Sequence, residues 1–218
     1  MKKNPDTIFG KEYYEACYRD YARQNPPGKL AFYKSIVESI AAGGPGFRLL
    51  DVGCAFGLFL SCVNPAWKRY GADVSEFAIR QAASRCPEAR FFAADVAALP
   101  CKQSFDVIVA FDILEHVRDM DSAAIAIKSR LCAMGCFIFV VPVYDGPTGP
   151  LIKLLDHDAT HIHRMPRTWW LQWAARHFTL CQWWGMYRYL LPGNIYVHLP
   201  TKTFRNFTPA IAVAVKNK

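Results

Sequence analysis

Short apolar runs of strand length alternate with helix-period segments through the middle of the chain, from Arg48 to Val141. RLLDV at 48–52, Tyr70–Val74, Arg90–Ala94, Phe105–Phe111 and Gly135–Val141 have the length and the branched or aromatic content of buried strands. Between them, Leu58–Val63, the stretch to Ala83 that Ser75 caps, and Met120–Cys132 repeat their apolar positions at helical spacing. Strands that alternate with helices in this way predict an α/β fold, a parallel sheet wound by right-handed crossovers with helices on both faces. Upstream, 11–24 and 29–42 read as two helices split by Pro26-Pro27-Gly28. Downstream the rhythm breaks. Residues 143–165 read as a loop rich in Gly, Pro and His, 167–177 as a helix, and Thr179–Trp184 and Ile211–Val215 as late strands.

With 218 residues and 52% hydrophobic content, the chain suits one domain with a full core. Its divisions are an N-terminal helical cap (1–45), a central α/β core (46–142) and a C-terminal part (143–218). The longest strongly apolar run, Cys136–Val143, is far short of the roughly 20 residues that span a bilayer. Eight scattered cysteines without a C-x-x-C pair read as reduced thiols, so the expected compartment is the cytoplasm. The net charge of +8 is uneven: residues 159–218 hold eight Lys and Arg and no acid, together with five of the six tryptophans. A basic, aromatic end suits an anionic or aromatic small ligand, a nucleic acid or a membrane surface, or else a solvated face over an aromatic core. Arg164 and Arg167 are its candidates for meeting an anion.

Ligands of an open parallel sheet bind beyond the carboxyl ends of the strands. Asp51-Val52-Gly53-Cys54-Ala55-Phe56-Gly57 stands at the first of these ends, Asp73-Val74 at the second, Asp95-Val96 at the third, and Phe111-Asp112-Ile113-Leu114-Glu115-His116 at the fourth. A carboxylate at Asp51, before glycines spaced G-x-x-x-G, is a poor host for a pyrophosphate, which disfavours a nicotinamide dinucleotide. It suits a ligand with positive charge and no phosphate, such as S-adenosylmethionine. Gly53 would let the backbone approach it, Asp73 would accept from both ribose hydroxyls, and Asp95 with Val96 would hold the adenine.

LLDVGCAFGLFL, GADVSEFAI, AADVAALP and FDVIVAFDILEHV, in this order and spacing, resemble the class I S-adenosylmethionine-dependent methyltransferases over about residues 47–141. The resemblance implies a Rossmann-like sheet of seven strands, mostly parallel with the last antiparallel. It implies a cofactor-binding set of Asp51, Gly53, Ala55, Gly57, Asp73, Val74, Asp95, Val96 and Phe111. Ala55 stands where the family usually has glycine. The LEHV ending resembles the small-molecule branch, and Asp158-Ala159-Thr160-His161 with Pro166 and Trp169-Trp170 is similar to a loop of ubiquinone-pathway O-methyltransferases. On that basis 143–218 would carry an acceptor-side lid, and the expected reaction is methyl transfer to a small-molecule acceptor, most naturally at oxygen. A hydroxyl acceptor must lose a proton, and His161, with His116 as rival and His163 third, is the candidate to take it. The competing reading is an RNA- or protein-modifying enzyme that grips its substrate through the basic end. A metal held by His157, His161 and His163 with Asp156 and Asp158 would need a helix to unite H-x-x-x-H, and the Gly and Pro residues upstream give none, so no metal is expected. The tyrosines at 13, 14, 18 and 21 have helical spacing, and one of them could touch the cofactor.

Overall fold

The computed structural model describes residues 9–17, 21–40, 43–100, 102–156, 158–191 and 195–218. Helices α1 (Lys11–Cys17), α2 (Tyr21–Gln24) and α3 (Pro27–Ile40) lead into the alternating core. That core runs β1 (Arg48–Val52), α4 (Leu58–Cys62), β2 (Lys68–Asp73), α5 (Glu76–Arg85), β3 (Arg90–Ala93), β4 (Phe105–Phe111), α6 (Met120–Arg130) and β5 (Leu131–Pro142). The C-terminal part adds α7 (Gly149–Leu155), α8 (Arg167–His177), β6 (Thr179–Leu191), β7 (Ile195–Thr201) and β8 (Ala210–Lys216). Among the described residues no helix is long and apolar enough to cross a membrane.

The strands form one sheet in the order β3-β2-β1-β4-β5-β8-β6-β7. The five core strands are parallel, as the alternation predicts, and β8 runs antiparallel to both β5 and β6. The sheet has eight strands where seven were expected. The extra one is β7, which pairs antiparallel with β6 along Gly185–Leu191 and forms the outer edge. Its sequence, with His198 and Pro200 inside it, carries no clean apolar alternation, and a proline is tolerated there because an edge strand needs only one side of its ladder.

Period-two alternation divides the core between the two faces of the sheet. Ile108 and Ala110 of β4, Phe137 and Phe139 of β5, and Val213 and Val215 of β8 face α6 and α8. Val107 and Val109, Ile138 and Val140, and Ala212 and Ala214 face α3 and α4. The tryptophans resolve the two readings of the aromatic end: Trp170 and Trp173 are fully buried core against Phe139, and Trp169 packs edge-on to Trp170.

The arginines of that end are largely spent inside the fold. Arg167 is buried at the start of α8; its guanidinium forks onto Asp145 at 2.7 and 2.9 Å and also donates to the carbonyls of Arg205 and Thr208. Arg188 pairs with Asp112, and Arg205 lies 4.0 Å over the Trp183 ring. Arg167 therefore joins the loop after β5 to the start of β8, which corrects its candidacy as an anion-binding residue. We expect Arg167→Gln to lower unfolding stability by about 3–5 kcal/mol, because it strands Asp145 and two carbonyls at a half-buried site. Chemical denaturation would measure it, and a loss below 1 kcal/mol would contradict the assignment.

Candidate active site

The first strand end is a tight loop with three left-handed residues, Gly53 (φ 73°), Ala55 (φ 44°) and Gly57 (φ 71°). A side chain on Gly53 would run into Ile113 at 2.6 Å, so glycine is required there both for conformation and for space. Ala55 occupies the same left-handed region at a cost of about 1–2 kcal/mol. The position where glycine was expected is thus a strained alanine, and Asp73 offsets the strain by holding it. Asp73 Oδ2 accepts from the Ala55 amide at 3.0 Å, while Oδ1 accepts from the Ser75 amide at 2.9 Å. Ser75 in turn caps α5. Asp73 was expected only as a ribose acceptor; it also ties the end of β2 to the glycine loop. A carboxylate has about four acceptor positions, so two remain.

Asp51 and Asp73 are both buried. Burial raises each carboxyl above the usual carboxylate range, and the charge of Asp73 raises Asp51 further. Two carboxylates that oppose each other's ionisation favour a ligand that brings positive charge and hydroxyl donors. The residues present therefore fit S-adenosylmethionine and would repel a phosphate. The sign of the linkage follows. A carboxyl raised in the folded state holds its proton more tightly than the unfolded chain does, so stability falls as pH rises from about 4 through the raised value. We expect Asp51→Asn to raise the melting temperature of the ligand-free protein at pH 7–8 and flatten its pH dependence, while weakening S-adenosylmethionine binding. Thermal melts at pH 5 and 8, with and without ligand, would show it; a lower ligand-free melting point at pH 8 would count against the argument.

The remaining expected cofactor residues are distributed as follows. Val74 is half-buried beside Asp73, and Asp95 is exposed on the rim with Oδ1 accepting from the Ala97 amide at 2.9 Å. The Val96 side chain is buried in the larger core. Phe111 stacks on Tyr33 at 4.2 Å and edge-on to Phe59 at 5.0 Å, so its ring packs between α3, α4 and the sheet. The N-terminal helices cover the loop: Tyr14 lies 4.7 Å and Tyr21 4.8 Å from the Phe56 ring. Burial raises both phenols, with Asp73 adding to the effect on Tyr14 and Asp51 to that on Tyr21. Tyr18 lies outside the described residues.

The second group of polar residues forms where the loop after β5 returns across the end of β4. The amides of Ile162 and His163 both donate to the Glu115 carbonyl at 3.0 Å, which fixes the loop there. His161 Nδ1 lies 2.9 Å from Asp156 Oδ2 and 3.2 Å from the Tyr144 hydroxyl. Asp156 Oδ2 also accepts from Tyr144 at 2.6 Å and from Arg164 Nε at 2.9 Å. Burial alone would raise the Asp156 carboxyl, but the bonds from Tyr144 and His161 outweigh it and hold the group down to about 2. With Nδ1 donating to Asp156, His161 presents the lone pair of Nε2, which stands 4.0 Å from Glu115 Oε1 and 3.8 Å from Asp158 Oδ2.

His116 is the neighbour of His161, with ring centres 4.7 Å apart. Its Nδ1 meets Thr160 Oγ1 at 2.9 Å. Burial and the nearby His161 push its pKa down to about 4, which disfavours it as a proton acceptor. His163 points elsewhere, its Nε2 donating to the Val117 carbonyl (2.7 Å) and its ring stacking on Trp169. His157 lies outside the described residues. Sequence reasoning missed Tyr144 and the hub at Asp112, a left-handed residue (φ 58°) that ends β4 and pairs with both Lys29 and Arg188. The only sequence signal for Asp112 was its place directly after a buried strand.

Residues 50–137 match the methyltransferase domain family. The matched span runs from β1 into β5 and contains the glycine loop, Asp73, Asp95, Glu115 and His116. No curated protein is significantly similar to this chain in sequence. Solved structures share its fold. The N-methyltransferase NodS from Bradyrhizobium japonicum WM9, in complex with S-adenosyl-L-homocysteine, superposes with a TM-score of 0.64 at 17% identity, covering 94% of this chain and 97% of that one. A SAM-dependent methyltransferase from Thermotoga maritima gives 0.66 at 14% identity, covering 94% and 98%. Geranyl diphosphate methyltransferase in complex with SAM gives 0.66 at 15% identity, covering 91% and 95%.

Proposed function

We propose that this chain is an S-adenosylmethionine-dependent methyltransferase that acts on a hydroxyl oxygen of a small-molecule acceptor. S-adenosylmethionine is the methyl donor. The reaction is an in-line displacement at the methyl carbon in which the donor leaves as the neutral thioether. Much of the acceleration comes from alignment and exclusion of water, which the tyrosines of α1 and α2 over the glycine loop serve. Nitrogen acceptors, as the name of NodS indicates for that protein, need little else. Oxygen acceptors must also lose a proton.

The observation that carries the oxygen reading is the Asp156–His161 pair with Nε2 turned toward Glu115. A histidine oriented by a carboxylate is the arrangement that removes a hydroxyl proton, and His161 is the residue we assign to it. The macromolecular alternative loses support because three of the eight basic residues of that end, Arg167, Arg188 and Arg205, are held by Asp145, Asp112, Trp183 and main-chain carbonyls inside the fold. The ubiquinone-pathway likeness of the loop is supported by its position over the strand ends. Incubation with methyl-labelled S-adenosylmethionine and a fractionated cell extract tests the reading. The expected product is of low mass and carries its label as a methoxy group by NMR. Label in nucleic acid, in protein, or on nitrogen would overturn it.

A further inference from the structure

We infer that Glu115, His116 and His161 form a binding site for a divalent transition-metal ion on the acceptor side of the fold. Each offers one donor atom, and the three atoms lie within 4.8 Å of one another. This is a different set from the one the histidine spacing suggested, because His163 turns to Val117 and Trp169 while Glu115 and His116 arrive from the end of β4.

Three observations support a site over a chance cluster. Glu115 is only 1% exposed, yet its Oε2 has no hydrogen-bond partner among the described residues. A buried acceptor left open is costly unless a ligand completes it. The second observation is the tautomer of each ring. His161 Nδ1 is engaged by Asp156 at 2.9 Å, which leaves Nε2 as the donor atom facing Glu115 Oε1. Thr160 Oγ1 spends its single proton on Asp158 Oδ1 at 2.5 Å, so it accepts from His116 Nδ1 and leaves that ring's Nε2 lone pair free. Carboxylates behind both imidazoles, one direct and one through a hydroxyl, are the outer-shell support that metal-ligating histidines use. The third is placement: the cluster sits at the carboxyl ends of the strands, where ligands of open sheets bind.

Two imidazoles and one carboxylate suit zinc, cobalt, iron or nickel better than calcium or magnesium. Three protein donors leave at least one coordination position vacant, which is the pattern of sites that take a further oxygen ligand. The donor atoms stand up to 4.8 Å apart, beyond the roughly 3–3.4 Å separating two donors about 2.1 Å from one ion, so the side chains must close by as much as about 1.5 Å. With an ion bound, His161 Nε2 is a ligand and no longer the proton acceptor; an acceptor hydroxyl on the vacant position would instead ionise through the ion, its proton passing to solvent. That last step rests on the oxygen reading above; the site itself does not.

Cobalt(II) titration of the full-length protein without cofactor tests the site. We expect one equivalent to bind with visible ligand-field absorption and without thiolate charge-transfer bands, which excludes the cysteines. Glu115→Gln and His161→Gln should abolish that binding, and Asp156→Asn, which leaves all three donors, should weaken it about 10–100-fold. Circular dichroism and S-adenosylmethionine binding check that each variant is folded; should Glu115→Gln fail to fold, Asp156→Asn decides. No bound cobalt, binding unchanged in these variants, or a thiolate signature would overturn the inference. The oxygen reading would stand in that event, since the labelled product reads it independently.

Discussion

Replacing Asp73 by alanine should raise the dissociation constant for S-adenosylmethionine by about a hundredfold or more and lower the melting temperature as well. The affinity loss follows from two charge-assisted hydrogen bonds to the ribose hydroxyls, each worth about 1.5–3 kcal/mol. The stability loss follows from the two amides that the carboxylate already holds, at Ala55 and Ser75. Without them, Ala55 has nothing to keep it in the left-handed region, and the glycine loop loses the shape that admits the ligand. Calorimetry and thermal melts on the same preparation give both numbers. Unchanged affinity would remove Asp73 from the ribose site, and an unchanged melting point would show that the loop holds itself.

His161→Asn should lower kcat by roughly 10²–10⁴ while leaving the dissociation constant for S-adenosylmethionine within about twofold of wild type. The separation is expected because His161 belongs to the loop after β5, whereas the cofactor residues stand at the ends of β1 to β3. His163→Asn is the control. Its ring packs on Trp169 and meets the Val117 carbonyl, so it should leave turnover near wild type. Near-normal turnover in His161→Asn would mean that the enzyme works by positioning alone and that nitrogen or sulfur is the acceptor atom.

The parts of the molecule that follow from short-range rules were readable before any coordinates. Each core strand alternates or is uniformly apolar because both faces of the sheet are covered, and Asp51, Asp73 and Asp95 stand out because each ends such a run. Two elements escaped for local reasons. Pro147, Gly149 and Pro150 argued against a helix in 143–165, yet Thr148 is the N-cap of α7 and Pro150 lies in its first turn, where a missing N–H costs nothing. The strand β7 escaped because an edge strand needs no apolar face. The acceptor-side cluster depends on long-range return of the chain: Glu115 and His161 are 46 positions apart, and the two amides donated to the Glu115 carbonyl, with the Thr160–His116 and His163–Val117 bonds, bring them together. Tyr144 had no motif to mark it, since its partners Asp156 and His161 reach its hydroxyl only once the loop has folded.

Helix α1 touches both halves of the site. Tyr14 packs with Ala55 and Phe56 over the donor loop, the adjacent Tyr13 donates to Asp158 at 3.1 Å, and Phe9 lies edge-on to His116. One short segment is therefore a shared door. For the spent donor to leave, Tyr14 must lift, and lifting α1 also pulls Tyr13 off the carboxylate that anchors Thr160. Donor exchange and acceptor release would then be coupled through α1, which both halves of the site share.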